Sequence, residues 1–111
     1  MPPLPRGYGR GMELYQAEWC PYSHRVRQRL TELGLDFVAR QVPADPERRD
    51  AMRDAVGDDS IPVLIDGDRV LHGDEDILAH LGRTYPEPPD AGRHRAKARL
   101  EVPEFEEVAS R

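Results

Sequence analysis

The chain holds one cysteine, Cys20, which opens the run Cys20-Pro21-Tyr22-Ser23. A thiol is a nucleophile only as thiolate, and the free N–H groups and positive dipole end of a helix N-terminus stabilise such an anion. Cysteines so placed can have pKa values lowered to roughly 3.5–7.5. Pro21 suits the first helical position, where a missing N–H costs nothing. Ser23 stands where a second, resolving cysteine would complete a Cys-x-x-Cys pair. Its hydroxyl can hydrogen-bond a thiolate but cannot close a disulfide. The chemistry expected here is therefore mixed-disulfide formation with an outside thiol, from a partly exposed sulfur. The competing assignment is a small buried hydrophobe, the usual role of a lone cysteine.

That chemistry requires a strand before the cysteine and a helix after it, and the flanking residues supply both. Met12 to Ala17 reads as the first strand. Val26, Leu30 and Leu33 then fall at i, i+4 and i+7, one apolar stripe on a helix that Gly34 ends. Phe37 to Val42 is a short second strand. Asp45-Pro46 looks like an N-cap and first position of a helix carrying Ala51, Met52, Ala55 and Val56, stopped at Gly57. Pro62–Ile65 and Arg69–Leu71 flank Asp66-Gly67-Asp68, a hairpin signal. A last helix runs from Asp74 to Tyr85, with Ile77, Leu78 and Leu81 apolar and Asp74, Glu75 and Asp76 in its first turn, where the dipole favours negative charge. The order β-α-β-α-β-β-α makes the first two strands parallel and the last two an antiparallel hairpin, an open sheet flanked by helices. Residues 12–85 form the expected domain, 1–11 a flexible leader, and 86–111 a charged tail, read as a short solvated helix or disordered segment.

With 111 residues the chain has room for one core. No run of eighteen apolar residues occurs, and the leader lacks the apolar stretch of a signal peptide. A single free thiol fits a reducing compartment, so the cytoplasm is the expected location. The net charge of −5 weighs against nucleic acid as a partner. His24, His72, His80 and His94 show no metal-ligand spacing with one another or with Cys20, so no metal is expected. His80 is expected on the exposed side of the last helix, and His24, just past the motif, either contacts the thiolate or lies on the helix surface. No glycine-rich phosphate loop and no Ser-His-Asp arrangement is present.

From Met12 to Tyr85 the sequence resembles the thioredoxin-fold module shared by glutaredoxins and the N-terminal domain of glutathione transferases. The resemblance is carried by Trp19-Cys20-Pro21-Tyr22-Ser23, the amphipathic helix, and Ser60-Ile61-Pro62-Val63-Leu64, in order and at the family's spacing. Cys-Pro-Tyr-Ser followed by His24-Arg25-Val26-Arg27 looks especially like the cysteine-type transferases. The resemblance implies that Ile61-Pro62 is a cis bond beside the thiol, that the Ile61 backbone pairs with the cysteinyl part of glutathione, and that Pro21 and Tyr22 line the groove. It places Asp74 and Glu75 where the ligand's ammonium is held. A plain strand-start proline and a dipole-placed acidic pair are the alternatives at those two places. The chain departs from the family in three respects. Transferases have Glu-Ser where Gly73-Asp74 stands, and glutaredoxins have Gly-Gly where His72-Gly73 stands. Many glutaredoxins carry a lysine near the thiol where Ala17 stands, and Arg25 is the cation that would partly replace it. Only 26 residues follow Tyr85, too few for the all-helical second domain of the transferases.

The resemblance implies a monothiol, glutathione-dependent thiol-disulfide oxidoreductase, with Cys20 as nucleophile and Ser23 as a non-covalent aid. Its co-substrate would be glutathione or another low-molecular-weight thiol, its partners thiol or disulfide proteins, and its state monomer or weak homodimer, with no membrane partner. The alternative is a non-catalytic binding module for such a thiol, for a partner protein, or for an iron–sulfur cluster bridged between two chains, since one cysteine cannot supply four ligands.

Overall fold

The computed structural model describes residues 11–102. The leader, apart from Gly11, and the end of the tail lie outside the described residues. Four strands, β1 (Glu13–Gln16), β2 (Val38–Gln41), β3 (Val63–Asp66) and β4 (Arg69–His72), form one mixed sheet in the order β2-β1-β3-β4. β1 and β2 are parallel, with Glu13 opposite Val38. β3 runs antiparallel to β1 and to β4, with Tyr15 and His72 both opposite Val63. This is the thioredoxin-like α/β architecture, a four-stranded mixed sheet with helices α1 (Pro21–Leu33), α2 (Asp50–Val56), α3 (Asp74–Thr84) and α4 (Ala91–Glu101).

The apolar stripe of α1 goes where its spacing directs it. Val26, Leu30 and Leu33 are buried with Met12 and Leu14 of the first strand region, Leu64 of β3, and Ile77 and Leu81 of α3. α1 packs against both α3 and α4. Gly34 ends α1 at φ 68°, a left-handed conformation costly for any residue with a Cβ. Its N–H reaches back to Thr31 O at 3.1 Å, and Leu35 N–H reaches Leu30 O at 3.0 Å, so the last carbonyls of the helix are satisfied.

Three elements depart from the sequence reading. Asp45-Pro46 opens only a 3-10 turn, Pro46–Arg48, and α2 begins afterwards at Asp50. The buried Arg49 separates the two, because its guanidinium donates to Pro43 O, Ala44 O and Asp59 O and pins the loops on either side of α2. His80 is buried rather than exposed: its Nε2 lies 2.8 Å from Asp66 Oδ2, which also accepts the Tyr85 hydroxyl at 2.8 Å. The hairpin turn thereby holds the end of α3. The tail is helical over Ala91–Glu101, but not simply solvated, since α4 docks on α1. Ala91 is buried. Arg95 reaches Glu32 of α1 at 3.1 Å and Glu87 at 2.6 Å, and Arg29 of α1 reaches the same two carboxylates at 2.9 and 2.6 Å. These two guanidiniums, Arg95 foremost, pull the Glu87 carboxyl down to about 2.

Candidate functional site

The topology gathers the sequence-predicted residues at one end of the sheet. Cys20 follows the C-terminal end of β1, and Ile61-Pro62 precedes the N-terminal end of the antiparallel β3. β4 ends on the same side, where Gly73 N–H donates to Pro62 O at 3.0 Å and α3 then begins at Asp74. Gly73, at φ 87°, makes the sharp turn from strand into helix, a conformation that favours glycine.

Cys20 is the N-cap of α1, and Pro21 occupies its first turn. The Ser23 N–H points at Cys20 Sγ, 3.4 Å away, one of the orphan donors of a helix start aimed at sulfur. Cys20 N–H donates to Ala17 O at 3.1 Å, which fixes the cysteine against the end of β1. Arg27 holds the same turn from the other side: its Nη1 reaches Gln16 Oε1 and, at 3.4 Å, Ala17 O, while Nη2 meets Glu18 at 3.3 Å. Sequence reasoning missed this clamp, because Arg27 lies off the apolar stripe and its partners, an amide, a backbone carbonyl and the Glu18 carboxylate, stand nine to eleven residues earlier.

Two expectations at the thiol change. Cys20 is buried, at 5% of its full exposure, rather than partly exposed. Trp19, just before the motif, and Tyr22, within it, carry the exposed surface instead, at 63% and 51%. The group that bonds the sulfur is the Ser23 backbone N–H, whereas the Ser23 hydroxyl is buried and, among the described residues, has no hydrogen-bond partner. His24 contributes its N–H to Cys20 O at 3.0 Å, the first helical bond, and its side chain is half-buried.

The Ile61-Pro62 bond is cis, and Pro62 is fully buried. The turn before it is shaped by Asp58, whose Oδ1 accepts Asp59 N–H at 2.7 Å and Ser60 N–H at 3.1 Å. Its Oδ2 lies 3.2 Å from His72 Nδ1, tying the turn to the end of β4. The Ser60 N–H first, then the Asp59 N–H and His72, hold this carboxyl below the usual carboxylate range. At the α3 start, Arg25 does not turn to the sulfur but bonds Asp74 Oδ2 at 2.5 Å, joining the helix that carries the thiol to the helix that follows the hairpin. Glu75 is exposed in the same turn.

The arrangement presents a thiol capping a helix N-terminus, a cis-proline loop and a charged helix start, all at one end of the sheet. Among the described residues no group of three or more His, Cys, Asp or Glu side chains could hold a metal ion, and no helix is long and apolar enough to cross a membrane. A shallow groove between the end of α1 and α4, lined by Leu30, Leu35, Phe37 and His94, starts about 15 Å along α1 from Cys20.

Residues 14–89 match the family model described as glutathione S-transferase, N-terminal domain. A glutaredoxin of Pseudomonas aeruginosa is 30% identical over 66 residues, covering 60% of this chain and 79% of that protein. Glutathione S-transferase Z2 of Arabidopsis thaliana is 33% identical over 86 residues, 74% of this chain but 38% of that one. Among solved structures, rice GST1 in complex with glutathione superposes with a TM-score of 0.61 at 27% identity, covering 80% of this chain and 44% of the rice chain. The chain thus spans most of a glutaredoxin and less than half of a transferase.

Proposed function

The chain belongs to the glutathione S-transferase N-terminal domain family, among the glutathione-related thioredoxin-fold proteins, and on that premise we propose that it is a monothiol, glutathione-dependent thiol-disulfide oxidoreductase acting through Cys20. The observation that carries the reading is the capped sulfur: Cys20 Sγ accepts the Ser23 N–H at the start of α1, with a serine in the resolving position.

The reaction runs in two exchanges. The Cys20 thiolate attacks the glutathionyl sulfur of a mixed disulfide. That S–S bond breaks, the substrate leaves as thiolate and takes up a proton, and Cys20 carries the glutathionyl group. A glutathione thiolate then attacks the glutathionyl sulfur held on Cys20, releasing oxidised glutathione and restoring the Cys20 thiolate. One free glutathione is consumed per turnover, and its sulfur joins the glutathionyl sulfur taken from the substrate in oxidised glutathione, so no resolving cysteine is needed. The Ser23 N–H, 3.4 Å from the sulfur, bonds it as attacker and as leaving group. The Ser23 hydroxyl, without a hydrogen-bond partner among the described residues, is a further donor in the same turn. Pro21 and Tyr22 line the approach, and the Ile61 backbone pairs with the cysteinyl part of the incoming thiol. Because Cys20 is buried, the disulfide must reach the sulfur along that approach rather than by random collision. Glutathione, thiol or disulfide proteins and a reducing, cytoplasmic setting complete the proposal.

Turnover of a small glutathione mixed disulfide tests it. Cys20→Ser abolishes turnover, because a neutral hydroxyl does not replace a thiolate at sulfur. Ser23→Ala retains it, and Ser23→Cys makes it less dependent on an outside thiol by permitting an internal disulfide. Wild-type turnover no higher than that of Cys20→Ser, with any low-molecular-weight disulfide, sinks the catalytic reading in favour of a binding module.

A further inference from the structure

Arg49 is buried, and its guanidinium bonds backbone carbonyls alone. Nε donates to Pro43 O at 2.8 Å, Nη2 to Ala44 O at 3.1 Å and Nη1 to Asp59 O at 2.7 Å. Among the described residues no carboxylate pairs with it. Taking a charge out of water without a counter-ion is costly, and an apolar side chain would fill the same space without that cost. What only the guanidinium does is fix carbonyls on both sides of α2 at once.

The Asp59 contact reaches towards the thiol end of the sheet. Asp59 stands two residues before Ile61. Directly after Ile61, Pro62 O accepts the Gly73 N–H at 3.0 Å. The segment is thus held at Asp59 and again at Pro62. Between them, among the described residues, the Ile61 N–H and C=O make no hydrogen bond. We propose that Arg49 is a positioning residue for thiol binding: by holding Asp59 O it fixes where the Ile61 backbone stands, and so sets affinity for an extended thiol peptide that it does not touch. The inference rests on the pairing proposed above for Ile61 and adds the residue that sets it. A backbone pair forms only within a narrow range of distance and angle. A loop left loose must be ordered at the moment of binding, which lowers affinity. Cys20 is held separately, by the Ser23 N–H and by Ala17 O. Loss of Arg49 therefore acts on binding and leaves the sulfur's own reactivity in place, which loss of a purely structural staple would not single out.

The test compares wild type with Arg49→Met, Arg49→Lys and Asp58→Ala. The last loosens the same turn through the half-buried carboxylate that accepts the Asp59 and Ser60 N–H groups. Leu33→Ala, a core truncation in the apolar cluster of α1, is the control for lost stability. Each protein is measured by urea unfolding, by calorimetric binding of unreactive S-methylglutathione, by KM and kcat with a small glutathione mixed disulfide, and by Cys20 alkylation rate against pH. Arg49→Met weakens binding and raises KM about tenfold, the scale of one hydrogen bond to a charged group, while kcat and the alkylation profile stay within about twofold. Arg49→Lys recovers part of the loss, since an ammonium lacks the planar fork that spans three carbonyls. Asp58→Ala shifts binding the same way by less, and Leu33→Ala loses stability with binding unchanged. The proposal is overturned if folded Arg49→Met binds as wild type does, if Leu33→Ala weakens binding equally, or if alkylation slows as far as binding weakens. Should Arg49→Met not fold, wild-type affinity in both Arg49→Lys and Asp58→Ala overturns it. Failure of the glutathione reading itself looks different: wild type then neither binds S-methylglutathione nor turns over, which removes the premise and this proposal together.

Discussion

The two sides of α1 are built on different physics. One side buries Val26, Leu30 and Leu33 against the sheet and α3 in a wholly apolar core. The other meets α4 through Arg29, Glu32, Glu87 and Arg95, a lattice of ion pairs in which only Glu32 is buried. The apolar side is worth roughly 1.5–3 kcal/mol for each large side chain removed from water. Surface pairs like those of the polar side are worth a small fraction of that and weaken with salt. The core side therefore sets whether the domain folds, and the α4 side sets whether one helix stays docked on a domain already folded.

Leu30→Ala is the largest test of that contrast. Leu30 is fully buried in the cluster, and its truncation is expected to cost about 2–5 kcal/mol of global stability in urea unfolding, a large part of a typical domain's 5–15 kcal/mol. A loss below about 1 kcal/mol would show that α1 is not held chiefly by its apolar side. The smallest effect belongs to Glu87. Its folded-state carboxyl is depressed to about 2 from an ordinary 4.5. Its contribution is therefore fully present above about pH 4.5 and is lost as pH falls from there towards 2. Glu87→Gln, high salt, and acid in that window should each speed amide exchange of Ala91–Glu101 and leave the global unfolding transition where it is. If Glu87→Gln moved the global transition as far as Leu30→Ala does, the two sides would not be separable.

The same contrast explains what the sequence disclosed. The stripe of α1, its stop at Gly34, the hairpin about Gly67 and the start of α3 at Asp74 were legible, because local periodicity and turn chemistry specify them. The polar side was not. Arg29 and Arg95 meet Glu87 and Glu32 across 58 and 63 residues of sequence, and no local pattern encodes that pairing. His80 is misplaced for a related reason: on the helix it looks like a polar surface residue, and its partner Asp66 is 14 positions away in the hairpin. Arg49 likewise splits the expected second helix through carbonyls it meets only in the fold. At the site, Cys20 and the helix start after it were readable from residue type and order. The cis Ile61-Pro62 bond was expected only through the family resemblance. The burial of Cys20, and the turn of Arg25 to Asp74, depended on packing that sequence spacing does not carry.

The central claim is that Cys20 itself accepts a glutathionyl group, and the most direct measurement is intact mass after mixing the protein with a glutathionylated peptide. The account predicts one glutathionyl adduct per chain, located at Cys20, with release of one equivalent of free peptide thiol. Added glutathione should then remove the adduct, and Cys20→Ser should form none. Peptide thiol released no faster than in the Cys20→Ser protein, with no adduct on Cys20, would contradict it.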